Sequence, residues 1–125
     1  MKDDEKRFLI IDDEPDMCWA LEQILKHNDI VSSTASNAGE ALALLETNRF
    51  RFQVAFVDAK LPDIEGLELA RLIRKNNPYI AIVMISGFFY KDGDEVKEAL
   101  KTGTISAFIA KPFNNNEIVK LLSCC

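Results

Sequence analysis

Four polar groups in this chain stand where short apolar runs end. Phe8-Leu9-Ile10-Ile11 gives way to Asp12-Asp13-Glu14-Pro15, and Val54-Ala55-Phe56-Val57 to Asp58. Ile80-Ala81-Ile82-Val83-Met84-Ile85 leads into Ser86-Gly87, and Ala107-Phe108-Ile109-Ala110 into Lys111-Pro112. If these ends meet, Asp12, Asp13 and Asp58 crowd like charges together, and a carboxyl pKa must rise unless a cation joins them. Oxygen-only ligands, few in number and with room for water, favour Mg²⁺ over Ca²⁺. A carboxylate beside Mg²⁺ can attack phosphorus, because the metal screens the charge on the incoming oxygens. The Ser86 hydroxyl and the Lys111 ammonium can bind those oxygens as they gain charge.

Taken singly, each residue has a plainer role. Asp12-Asp13 can cap a helix, which accounts for one aspartate and leaves the other over. Asp58 alone is a turn residue, Ser86-Gly87 a turn signal, Lys111-Pro112 a strand exit, and Phe108 a core residue. The conjunction of four strand ends is what points to chemistry.

The elements that must position these groups are readable from periodicity. The apolar runs are short, rich in β-branched and aromatic residues, and apolar on both faces, as in a parallel sheet covered on each side. A weaker strand falls at Ile30 to Thr34. Helical spacing covers Asp16 to His27 (with Trp19, Leu21, Ile24 and Leu25 inward) and Ala38 to Thr47 (Ala41, Leu42, Leu44, Leu45). It continues over Glu65 to Asn76, Asp94 to Thr102 and Asn115 to Ser123, with Leu72, Leu100 and Val119 among the inward positions. Asn37 is placed to cap the second helix, Asn77-Pro78 to end the third and Gly103 to stop the fourth. Five βα units predict a doubly wound α/β, flavodoxin-like domain with a five-stranded parallel sheet, whose chemistry gathers at the carboxyl ends of its strands.

Length and composition set bounds. One domain suits 125 residues, with the core over about 8–122. A 48% hydrophobic content is globular, and a net charge of -5 offers phosphate backbones no basic surface. Direct nucleic-acid binding is therefore not expected. Cys18, Cys124 and Cys125 form no disulfide framework, and with His27 as the one histidine they suit no zinc site. No leader or membrane-length apolar stretch is visible, so a soluble, cytoplasmic protein without membrane contact is expected.

The ordered set of motifs resembles the CheY-like receiver domain of two-component response regulators, from Phe8 to about Leu122. Those motifs are Ile11-Asp12-Asp13-Glu14-Pro15, Val57-Asp58-Ala59-Lys60-Leu61-Pro62 with Gly66, Ile85-Ser86-Gly87, Lys111-Pro112-Phe113 and Gly39-Glu40-Ala41-Leu42. The resemblance implies that Asp58 accepts a phosphoryl group from a histidine kinase or phosphotransfer protein. It makes Asp13 the direct Mg²⁺ ligand, with Asp12 acting partly through water and the Lys60 carbonyl completing the protein's share. Ser86 and Lys111 then contact the phosphoryl oxygens, the Lys111-Pro112 peptide is cis, and Phe108 is the rotating aromatic switch. The surface around the fourth and fifth helices, with the fifth strand, is implied to be read by a partner, an output domain or a second copy of the domain. The resemblance implies a switch and not an enzyme, beyond its own phosphorylation and dephosphorylation.

The stretch Phe88-Phe89-Tyr90-Lys91-Asp92-Gly93-Asp94 is longer than that pattern, and no output domain is visible within the chain. Among rival readings, an aspartate-nucleophile phosphatase of the haloacid dehalogenase type wants a second acid two positions after Asp58, where Lys60 stands. A nucleotide-binding Rossmann domain lacks its glycine-rich turn after the first run. A receiver-shaped interaction module that is never phosphorylated is the remaining alternative.

Overall fold

The computed structural model describes residues 7–48, 52–87 and 93–123. Its elements alternate strictly: β1 (Arg7–Ile11), α1 (Pro15–His27), β2 (Val31–Ala35), α2 (Ala38–Asn48), β3 (Val54–Asp58), α3 (Gly66–Asn76), β4 (Ala81–Ser86), α4 (Asp94–Thr102), β5 (Ala107–Ala110) and α5 (Asn115–Ser123). The five strands form one parallel sheet in the order β2-β1-β3-β4-β5, which is the expected doubly wound α/β architecture. The central strand β3 is buried at every position, as a strand covered on both faces must be.

Period-two alternation divides the core. Leu9, Ile11, Ala55, Val57, Ile82 and Met84 pack against α2, α3 and α4. Phe8, Ile10, Val54, Phe56, Val83 and Ile85 pack against α1 and α5. The Phe8 and Phe56 rings, diagonal neighbours across the β1–β3 pair, lie 6.0 Å apart between centroids.

Local signals fix the helix ends. Pro15, at the first turn of α1, starts that helix one residue before the expected Asp16. The Asn37 side chain accepts the Glu40 amide at 2.8 Å, as a cap should. Asn114 and Glu117 cap α5 reciprocally at 3.0 Å in each direction, a capping box beyond the caps expected from the sequence. Gly103 closes α4 with φ 82°, a left-handed conformation that suits glycine. At the opposite end of the sheet from the acidic loops, the Arg74 guanidinium donates to the carbonyls of Pro78, Ile80 and Thr104. It thereby ties the end of α3 to the entries of β4 and β5.

Four side chains expected inside reach solvent. Trp19 is 63% exposed, and Leu72, Leu100 and Val119 are 38–40% exposed. Trp19 lies about 200° around α1 from Leu21, off the stripe made by Leu21, Ile24 and Leu25. The other three sit on the flanks of their helices' apolar stripes. The aromatic stretch Phe88-Phe89-Tyr90 falls outside the described residues.

Candidate functional site

Parallel strands deliver their ends to one edge, and the polar groups singled out in the sequence arrive there. Asp12 follows β1 directly and is 3% exposed. Its amide donates to the Ala35 carbonyl at 3.0 Å, and its carboxylate accepts the Glu14 amide at 2.9 Å. Asp58 ends β3 and is 7% exposed. Ser86 ends β4 and is buried, and its carbonyl accepts the Lys111 amide at 2.6 Å. That bond fixes the Lys111 backbone at the end of β5, and the Lys111-Pro112 peptide is cis, as the resemblance implies.

From there the Lys111 ammonium reaches 3.1 Å from Glu14 and 3.4 Å from both Asp12 and Asp58. Oxygens of Asp12, Glu14 and Asp58 come within 4.8 Å of one another. Asp13 is exposed and is not one of this group. Glu14 is, although neither its spacing nor the motif that contains it assigns it a role. Lys60 follows at the mouth of the β3–α3 loop, pairing across a short bridge with Glu65.

Ser86 and Phe108 share a sheet face. Met84 pairs in register with Phe108, and Ser86 lies two residues beyond Met84. Phe108 is partly buried against the α2–α4 side of the core.

Electrostatics follow from the crowding. Burial, then the Asp12 charge, push the Asp58 carboxyl up to about 6, with Lys111 pulling the other way. Burial opposes the Lys111 charge, but the Asp12 and Asp58 carboxylates outweigh it and raise the ammonium above its ordinary value. Three carboxylates against one ammonium leave two negative charges in excess when all are ionised. The donor set is all oxygen, acidic and open on the Glu14 side, which fits a hard divalent cation such as Mg²⁺. Nearby, the Cys18 thiol donates to the Asp12 carbonyl at 3.3 Å. Burial, with Asp12 next, pushes that thiol up to about 11, so it stays a thiol and a poor nucleophile.

The same crowding couples stability to pH. The Asp58 carboxyl titrates near 6 when folded against 3.8 ordinarily, so its protonation favours the folded state. That contribution is complete below pH 3.8 and is lost as pH rises through about 6. Asp58→Asn is therefore expected to stabilise the metal-free protein at pH 7 by about 1–2 kcal/mol, or about 4–8 °C in Tm. Thermal unfolding in EDTA at pH 7 and at pH 3.5 checks this, and the gain should vanish at the lower pH.

The sequence matches the response regulator receiver domain family profile over residues 8–123. The chain belongs to that family. It is 33% identical to the response regulator protein PilR of Pseudomonas aeruginosa over 94% of its own length and 25% of that protein's. It is 35% identical to the nitrogen assimilation regulatory protein NtrX of Azorhizobium caulinodans, over 89% of the chain and 24% of NtrX. The chain thus spans about a quarter of the length of these relatives. A CheY-like receiver domain from Methanospirillum hungatei superposes with a TM-score of 0.85 at 33% identity, covering 95% of this chain and 91% of that one.

Proposed function

We propose that Asp58 accepts a phosphoryl group from the phosphohistidine of a histidine kinase or phosphotransfer protein, and that the added charge resets a partner-binding surface. The observation that carries this reading is the convergence on Lys111: its ammonium stands 3.4 Å from both Asp12 and Asp58, beside a group of three carboxylates.

An ionised Asp58 oxygen attacks phosphorus while the P–N bond to the donor imidazole breaks. The nitrogen keeps the bonding pair, and an acyl phosphate remains on Asp58. Asp12, Asp13, Asp58 and the Lys60 carbonyl would hold Mg²⁺, whose positive charge would offset the phosphoryl oxygens. Lys111 exchanges a carboxylate partner for a phosphoryl oxygen, and the Ser86 hydroxyl donates to another. Ser86, drawn toward the phosphoryl group, leaves room on its sheet face for Phe108 to turn inward. The α4–β5–α5 surface then shifts between two populated arrangements. Leu100 and Val119, each 40% exposed on α4 and α5, give that surface apolar contacts for a partner, an output domain or a second copy.

The test is intact mass after incubation with acetyl phosphate and Mg²⁺. One phosphoryl adduct is expected in the native chain, dependent on Mg²⁺ and lost in Asp58→Asn. A folded chain that binds Mg²⁺ yet gains no adduct would overturn the reading in favour of an interaction module.

A further inference from the structure

Asp63 lies in the β3–α3 loop, yet it caps a helix to which it does not belong. One carboxylate oxygen accepts the Ala38 amide at 3.0 Å and the other accepts the Gly39 amide at 3.0 Å. These are the first two amides of α2, and Asn37 takes the third. The two Asp63 bonds bridge 25 and 24 residues of sequence, so they are tertiary ties and not local turns.

The corner before α2 also grips the other acidic loop. Ala35, the last residue of β2, accepts the Asp12 amide at 3.0 Å. Residues 35–39 therefore contact both halves of the site: the loop of Asp12 through a carbonyl, and the loop of Lys60 through two amides. The base of the second loop is already fixed. Ala59 donates to Ile85 at 2.9 Å, Gly66 donates to Ala59 at 2.8 Å, and Lys60 bridges to Glu65. The tip of that loop is held by a different tie, and Asp63 supplies it.

Resting on the proposed function, we infer that Asp63 is a positioning residue for the Mg²⁺ site: by holding the start of α2, it keeps the loop carrying the Lys60 carbonyl at a fixed separation from the loop carrying Asp12. Gly39 fits this arrangement. A Cβ there would come 3.3 Å from the Asn37 cap oxygen and 3.8 Å from the Asp63 carboxylate. A merely structural cap would affect the fold and leave the cation site alone, and the two roles separate experimentally.

Mg²⁺ affinity by calorimetry and Tm by thermal unfolding should be measured for the native chain, Asp63→Ala, Asp63→Asn and Arg74→Met. The last variant removes backbone ties at the far end of the sheet. Asp63→Ala is expected to weaken Mg²⁺ binding about 10-fold, the usual scale for a residue that orients metal ligands. Asp63→Asn keeps one acceptor oxygen but turns an NH₂ toward a donor, so a smaller loss of about 3-fold is expected, and it carries the test should the alanine variant not fold. Arg74→Met should lower Tm and leave Mg²⁺ affinity within about 2-fold, because its lost bonds touch neither acidic loop. Asp63 variants that lose Tm but bind Mg²⁺ like the native chain would overturn the inference alone. A folded native chain that takes up no Mg²⁺ would overturn the proposed function, and this inference with it.

Discussion

An alanine at position 66 is expected to destabilise this protein by about 3 kcal/mol, lowering Tm by roughly 10 °C. Gly66 begins α3 and is buried against the end of β3. A Cβ there would collide with the Asp58 carbonyl oxygen and stand 2.7 Å from the Ala59 Cα. Both obstacles are backbone, so no rotamer change relieves them. Helix and strand must separate in a core whose packing leaves no slack. The strand that moves carries Asp58, so Mg²⁺ binding and phosphorylation should weaken together with stability. Thermal unfolding and the phosphorylation rate, compared between Gly66→Ala and the native chain, decide the matter. A variant melting within about 2 °C of native would show that the loop after Asp58 yields more easily than its bonds indicate.

Lys111→Met is expected to act in opposite directions on two properties of the site. Phosphorylation by acetyl phosphate should slow about 100- to 1000-fold, the usual loss when a preorganised donor to a developing anion is removed. Mg²⁺ affinity should rise at least about 5-fold, because a cation 3.4 Å from the buried Asp12 and Asp58 carboxylates is gone, and one charge at that range is worth about 1 kcal/mol even in bulk water. With Lys111 removed, the Asp58 carboxyl also loses the charge that pulls it down. Stopped-flow phosphorylation at several Mg²⁺ concentrations separates the two effects. Equal rates for variant and native at saturating Mg²⁺ would remove Lys111 from the reaction and leave it only as a partner for the carboxylates. Lys111→Arg retains the charge but places it on a wider planar fork, so partial activity is expected.

Much of this arrangement is legible in the residues alone. Strand runs that are apolar on both faces announce a covered parallel sheet, and parallel strands put their ends on one edge. Asp12, Asp58, Ser86 and Lys111 can therefore be gathered from positions up to 99 residues apart. The Asn37 cap and the Gly103 stop are equally readable, since each depends on a side chain or backbone acting within one helical turn. Trp19 departs from expectation because the spacing suggests a place beside Leu21, whereas two residues of helix turn it about 200° away and off the buried stripe.

The amino-acid sequence by itself determined the alternation of elements, the edge where the chemistry collects and the residue types that reach it, because these follow from short-range periodicity. Only the tertiary structure decided the strand order, that Glu14 and not Asp13 completes the carboxylate group around Lys111, that Gly66 abuts the backbone of Asp58, and that Asp63 caps a helix 24 residues earlier in the chain. Each of those depends on where a distant segment comes to rest. A side chain's direction at a loop is set by the partner it meets there, and no local pattern encodes that partner.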